Sequence, residues 1–279
     1  MTMTSNQAQL CRLSLRPSGG NEDPEADLLC RLSYPLPVFL HLSSASIEGD
    51  AIPVLRQGNV EEDALEVVML PSGSHTSFAL QQSASSWLGT AENGGRFERL
   101  AIDIKLRHGQ IAIRGRRVIL QSAPDVFMDM LAGIGAFIWL WLSIDDTESK
   151  LESGWDDQHV DAGALERLHY SGRLSRSMAA KAAATARLRQ WFLKATLMLE
   201  RGDRGLSAAA RRGFAELCQQ MDLGRRVQLL GEVIEAREVL YGAIAERSFE
   251  YRLFLFSIVI EVAILAGILV EVAIMFYDL

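Results

Sequence analysis

The chain is poor in cysteine. Cys11, Cys30 and Cys218 are its only thiols among 279 residues, an odd number at wide spacing. That excludes a disulfide-dense scaffold and any CxxC metal site. An excess of positive charge is also missing: 28 Lys and Arg stand against 35 Asp and Glu, a formal net charge of −7. An acidic chain lacks the broad footprint of a nucleic-acid binder, so no nucleic-acid partner is expected. The sequence contains no GxSxG, no GxxxxGKS/T and no HExxH. His159 and His169 are ten apart, which is not a zinc spacing, and Gly133-x-Gly135 follows no predicted strand. No catalytic residue, metal or cofactor is implied, and an enzyme is the least expected class. The first residues, MTMTSNQAQL, lack a basic stretch leading into an apolar one, so no signal peptide is visible. Glu22, Asp23, Glu25 and Asp27 argue against a transit sequence.

What the chain does have is apolar residue: 49% of the sequence is hydrophobic and the mean hydropathy is +0.10. Much of it lies at the C-terminus. Leu253 to Tyr277 reads LFLFSIVIEVAILAGILVEVAIMFY, 25 residues in which only Glu261 and Glu271 carry charge. A bilayer core needs about 20 apolar residues as helix. Aromatics bracket the run, Phe249, Tyr251, Phe254 and Phe256 on one side and Phe276 and Tyr277 on the other. Arg247 and Arg252 precede it, and only Asp278 and Leu279 follow. The expectation is a tail-anchored protein with one span and its N-terminal body in the cytosol, most simply at a bacterial inner membrane. Membrane lipid is then a partner.

Met130 to Ile144, MLAGIGAFIWLWLSI, is a second uncharged stretch, 15 residues long. That is short for a span and is expected to be a core or interfacial helix, a second membrane segment being the alternative.

The remaining texture points to an α+β protein. Residues 1–28 are polar with Pro and Gly and read as a flexible lead. Residues 29–122 read as a β-rich, antiparallel domain whose partner protein the sequence does not name. Its clearest signal is the alternation Leu100, Ile102, Ile104, Leu106, followed by a His108-Gly109 turn and Ile111 and Ile113. Arg114, Arg116 and Arg117 form a small basic cluster, read as a solvated hairpin face. Residues 123–224 read as a helical domain with an acidic connector at 145–161. That connector holds seven carboxylates, from Asp145 to Asp161, in no EF-hand spacing. Ser207 is placed as a helix N-cap. Residues 225–252 read as a stalk helix and 253–277 as a transmembrane helix. No proline interrupts them, so one helix of 53 residues would reach roughly 80 Å.

Val227, Leu230, Ile234, Tyr241 and Ile244 follow a three-four spacing along this helix, with Arg237 as a polar break. They are expected either to pack within the helical domain or to form a seam between copies, as in a coiled coil. Leu229, Val233 and Leu240 make a second stripe, so partners are expected on both sides and a homo-oligomer follows. Glu261 lies about 13 Å past Arg252, near the middle of a core roughly 30 Å thick. Glu271 is ten residues on, about 80° around the helix. Each acid costs about 2.5–3.5 kcal/mol at the centre of a span. They are expected to mark contact between copies, or, in an alternative reading, a cation path. The stretch from Arg225 to Leu265 resembles the end of the family required for meiotic nuclear division, a domain of unknown function with bacterial, fungal and mitochondrial members. Arg226, Leu230, Arg252, Leu253 and Ile260-Glu261-Val262 carry the resemblance. It implies a single C-terminal membrane helix, homo-oligomers and no known catalytic residue. The expected role is a non-enzymatic, membrane-tethered scaffold or assembly factor; the alternative is an oligomeric cation channel or membrane-perturbing effector gated by the soluble domain. A magnesium-channel-like architecture needs two spans joined by a Gly-Met-Asn loop, and only one span is legible here.

Overall fold

The computed structural model describes residues 8–17, 27–46, 64–72, 78–90, 97, 100–163 and 172–277. Seven strands precede the main run of helices: β1 (Gln9–Pro17), β2 (Asp27–Leu32), β3 (Val38–Ser46), β4 (Ala64–Pro71), β5 (Ala101–Leu106), β6 (Gly109–Arg114) and β7 (Arg117–Ser122). The helices are α1 (Phe78–Gly89), α2 (Phe127–Glu152), α3 (Trp155–Ala162), α4 (Gly172–Arg201), α5 (Ala208–Gln220) and α6 (Leu223–Tyr277). The α+β class and the long C-terminal helix match the sequence reading. The chain divides into two compact units, Met1–Thr147 with Trp191–Gln228, and Glu148–Gln190 with Leu229–Leu279.

The first unit is built on one sheet in the order β2-β3-β1-β4-β7-β6-β5. Its pairs are antiparallel except β4 with β7, which run parallel. That pair departs from a purely antiparallel domain. α1 and the β5–β6 hairpin lie between β4 and β7 in sequence, so the chain returns to β4 in the same direction. The β5 alternation holds, with Ile102, Ile104 and Leu106 buried and their neighbours exposed. The expected lead 1–28 needs correction. Gln9–Pro17 is β1, an interior strand of the sheet, with Leu10, Leu13 and Leu15 buried. Leu13 and Leu15 share one face of the strand and Leu10 takes the other, so a strand with two apolar faces is buried on both. The rest of that lead up to residue 26 lies outside the described residues, apart from Ala8.

Two helical layers cover this sheet. On one face Leu10, Val68 and Leu70 pack with Leu80 and Ala84 of α1. On the other, α2 comes so close at Gly135 that an added Cβ would meet Leu40 at 2.8 Å and Leu13 at 3.2 Å. The apolar stretch 130–144 is therefore a core helix: 89% of its most apolar window is buried. Two of its polar side chains are hydrogen-bonded inside the fold, while Trp141 Nε1 is buried without a partner. Ser143 accepts from Trp191 Nε1 at 2.6 Å, and Trp139 Nε1 donates to the carbonyl of Leu36 at 3.1 Å. Gly133 lets α5 cross, since a Cβ there would stand 2.7 Å from the carbonyl oxygen of Ala210. Ser207 caps α5 as expected, its Oγ accepting from the Ala210 amide at 3.1 Å.

The second unit holds α3, most of α4 and the length of α6 from Leu229. Met178, Tyr241 and Ile244 form its small apolar core, with Ala182 and Leu240 packed against it. The acidic connector 145–161 is not a loop. α2 continues to Glu152 and α3 takes up Asp156, Asp157 and Asp161. Acidic residues suit a helix whose outer face is solvated, and the one that turns inward, Asp161, is buried and paired.

Candidate functional site

α6 is 55 residues long and carries the features singled out in the sequence. Its apolar part is uncovered: the 18-residue window that passes the length and composition test for a membrane span is 0% buried. Phe254, Phe256, Val259, Leu265 and Leu269 are each about 60% exposed. Glu261 and Glu271 stand exposed in the same run, and Arg247 and Arg252 are exposed just before it. One helix does not align the two carboxylates, because ten residues rotate them to different faces.

The stripe proposed as an oligomer seam is occupied from within. Val227, Leu230, Ile234, Tyr241 and Ile244 are all buried in the chain's own fold, Ile234 and Ile244 completely. Tyr241 and Ile244 sit on Met178 of α4. A side chain already packed on its own protomer is not free to form a seam between copies. The second stripe is the open one. Leu229 is exposed, Val233 and Leu240 are half-buried, and Ala236 between them is exposed.

Two concavities flank α6 in the second unit. A cavity of about 600 Å³ lies between α3 and α6, walled on its apolar side by Trp155, Ala162, Val233, Ala236 and Leu240. A smaller one, about 220 Å³, lies just before the apolar run and includes Met178, Ala182, Ile244, Phe249 and Arg252. Beside the larger cavity, Asp161 anchors α3. Lys181 Nζ donates to its Oδ2 at 2.6 Å and Tyr241 Oη donates to the same oxygen at 3.0 Å. Burial pushes the Tyr241 phenol up to about 12, helped by its hydrogen bond to Asp161. Arg237, seen in the sequence only as a break in a stripe, reaches the carbonyl of Leu151 through Nη2 at 2.6 Å. Its burial lowers its pKa. Asp161, Lys181 and Arg237 were missed as a group because they are far apart in sequence and form no short motif.

The other sequence candidates are structural. Arg114 donates to the carbonyls of Ile102 and Ile113, Arg117 lies over Trp87 and pairs with Glu66, and Arg116 lies over Phe97. These guanidinium groups meet carbonyls, aromatic rings and a carboxylate of the chain itself, which accounts for the cluster without a phosphate. Burial raises the thiols of Cys11 and Cys30 to about 12 and that of Cys218 further still, so none is a ready nucleophile. Among the described residues no group of three or more His, Cys, Asp or Glu could hold a metal ion. His169 lies outside the described residues.

No family model and no curated protein matches the chain. Among solved structures it is similar to the CorA magnesium transporter from Methanocaldococcus jannaschii at 7% identity, with a TM-score of 0.35, covering 94% of this chain and 82% of that one. A likeness at that score carries no weight for function.

Proposed function

We propose that the protein is a non-enzymatic, membrane-tethered scaffold or assembly factor. α6 crosses the bilayer once, the body stands on the cytosolic side, and copies associate through the parts of α6 that the protomer leaves uncovered. The observation that carries this reading is the fully exposed apolar run of α6. Among the described residues, fifteen large hydrophobic side chains from Leu253 to Met275 are exposed. Removing such side chains from water is worth about 1.5–3 kcal/mol each, so more than about 20 kcal/mol favours a covered state. Glu261 and Glu271 together cost about 5–7 kcal/mol in a bilayer centre. The apolar gain exceeds that charge cost several-fold.

Arg247 and Arg252 support the orientation. The resemblance of residues 225–265 to the family required for meiotic nuclear division supports the single span and self-association. Support for the oligomer also comes from Leu229, which the protomer leaves exposed on the second stripe. The test is deletion of residues 253–279. The truncated protein is expected in the soluble fraction while the full chain resists high salt and carbonate. A full chain that carbonate extracts, or a truncated chain that stays with the membrane, would overturn the span.

A further inference from the structure

The cavity between α3 and α6 is not explained by a scaffold role. Its volume of about 600 Å³ falls within the range of small-molecule sites, roughly 300–1,000 Å³. Its wall is mostly apolar, and Trp155 leaves about half of its surface uncovered there. An apolar hollow with a few convergent polar groups is the usual form of a ligand site.

The polar groups show a specific deficit. Arg237 spends one hydrogen bond on the Leu151 carbonyl. Its Nε is enclosed and has no hydrogen-bond partner, and Gln158 Nε2, in the same wall, is enclosed and unpartnered too. Both are donors, and both lack an acceptor. Leaving a buried donor unmade costs about 1–3 kcal/mol. Among the described residues no carboxylate pairs with Arg237. The buried acid described in this unit, Asp161, is committed to Lys181 and Tyr241. A half-buried guanidinium without a counter-ion calls for an anion.

The rim limits the charge of that anion. Asp156 and Glu232 stand exposed at the cavity edge, with His159 beside them. Their two negative charges disfavour a dianion, while solvent screens them from a single charge held deeper. Arg237 is 15 residues before Arg252, about 22 Å along the helix. The headgroup layer is only about 5–8 Å deep on each side of the bilayer core. A ligand here comes from solution.

We propose that the α3–α6 cavity binds an apolar organic monoanion, a carboxylate or sulfonate on an aromatic or aliphatic body. Its acid group accepts from Arg237 and Gln158, and its body lies against Trp155, Val233, Ala236 and Leu240. The cavity itself does not depend on the membrane reading, but the exclusion of a lipid source rests on it.

Calorimetry on the full chain in nanodiscs tests this, with naphthalene-2-sulfonate as the probe and neutral naphthalene-2-sulfonamide as its comparator. The expected result is saturable binding at one site per chain, with the sulfonamide at least tenfold weaker. Arg237→Gln should weaken the sulfonate at least tenfold. Ala236 is an exposed helical position, so Ala236→Trp should fold as the parent does and abolish binding by filling the hollow. Arg204→Gln, in the other unit, should change nothing. Absence of saturable binding to the parent overturns the proposal. So does unchanged binding in Ala236→Trp, or equal affinity for the sulfonamide. Should Arg237→Gln fail to fold, the Ala236→Trp variant and the neutral comparator decide.

Discussion

The apolar stretch of α2 and the apolar run of α6 look alike along the chain and end in opposite surroundings. Both are helices long and apolar enough to cross a membrane by length and composition. The window in α2 is 89% buried and the one in α6 is 0% buried. α2 has the sheet on one side and α5 crossing at Gly133; its Trp139 finds a carbonyl acceptor within the protein, and its Ser143 accepts from Trp191. α6 beyond Arg252 has none of this. Hydropathy alone therefore identifies what must leave water and does not say where it goes.

The sharpest way to break this contrast is truncation of one core aromatic in each helix. Phe137→Ala in α2 empties a fully buried site. It should cost about 3–5 kcal/mol, read as a shift in the denaturation midpoint of the full chain. Phe256→Ala in α6 leaves no cavity within the protomer, since Phe256 is 65% exposed. It should move the same midpoint by less than about 0.5 kcal/mol. Similar losses in the two variants would mean that α6 is packed as α2 is.

A pair of glycines sharpens the comparison at smaller scale. A Cβ at Gly133 would press on the backbone of α5, 2.7 Å from the Ala210 oxygen and 3.3 Å from the Phe214 nitrogen. Gly133→Ala should destabilise by about 1–3 kcal/mol, because overpacking against backbone cannot be relieved by a rotamer change. A Cβ at Gly267 meets nothing within 4 Å. Gly267→Ala should be neutral or stabilise its helix by up to about 1 kcal/mol. If size-exclusion light scattering shows that Gly267→Ala lowers the particle mass, a second copy packs against α6 at that point.

A further effect is expected at Tyr241, outside the apolar run. Its phenol donates to the Asp161 carboxylate, and Tyr241→Phe should cost about 1–3 kcal/mol near neutral pH. The pH dependence has a definite sign. The folded phenol titrates at about 12, above its ordinary value of 10, so the folded state holds the proton more tightly. That contribution is complete below pH 10 and is lost as the pH rises from 10 towards 12. Stability measured across that window should fall less steeply in the phenylalanine variant than in the parent. Equal slopes would remove Tyr241 as the cause.

Much of the fold is legible in the residues. The alternation at Leu100 to Leu106 marks a half-buried strand, Ser207 marks the start of α5, and an uninterrupted stretch without proline marks α6. β1 was less legible because it lies in a polar N-terminal stretch and runs into Pro17 and Gly19-Gly20. Its place inside the sheet depends on pairing with β3 and β4, far along the chain. The candidate cavity was not legible at all. Arg237 breaks a stripe in one dimension, and only folding shows that its Nε lacks an acceptor beside Gln158.

By itself the sequence determined which segments are apolar, what period they follow and where helices can start and continue, since these depend on neighbours a few residues apart. The tertiary structure decided which apolar stripe is already covered. Val227 to Ile244 turn inward, and Leu229 and Ala236 are left exposed. It also decided that Asp161, one of seven similar acids, is the buried one held by Lys181 and Tyr241. Burial and pairing are set by groups brought together from 20 to 80 residues away. No local pattern encodes that distance, because the free energy of a buried charge depends on the partner it meets and not on its neighbours in the chain.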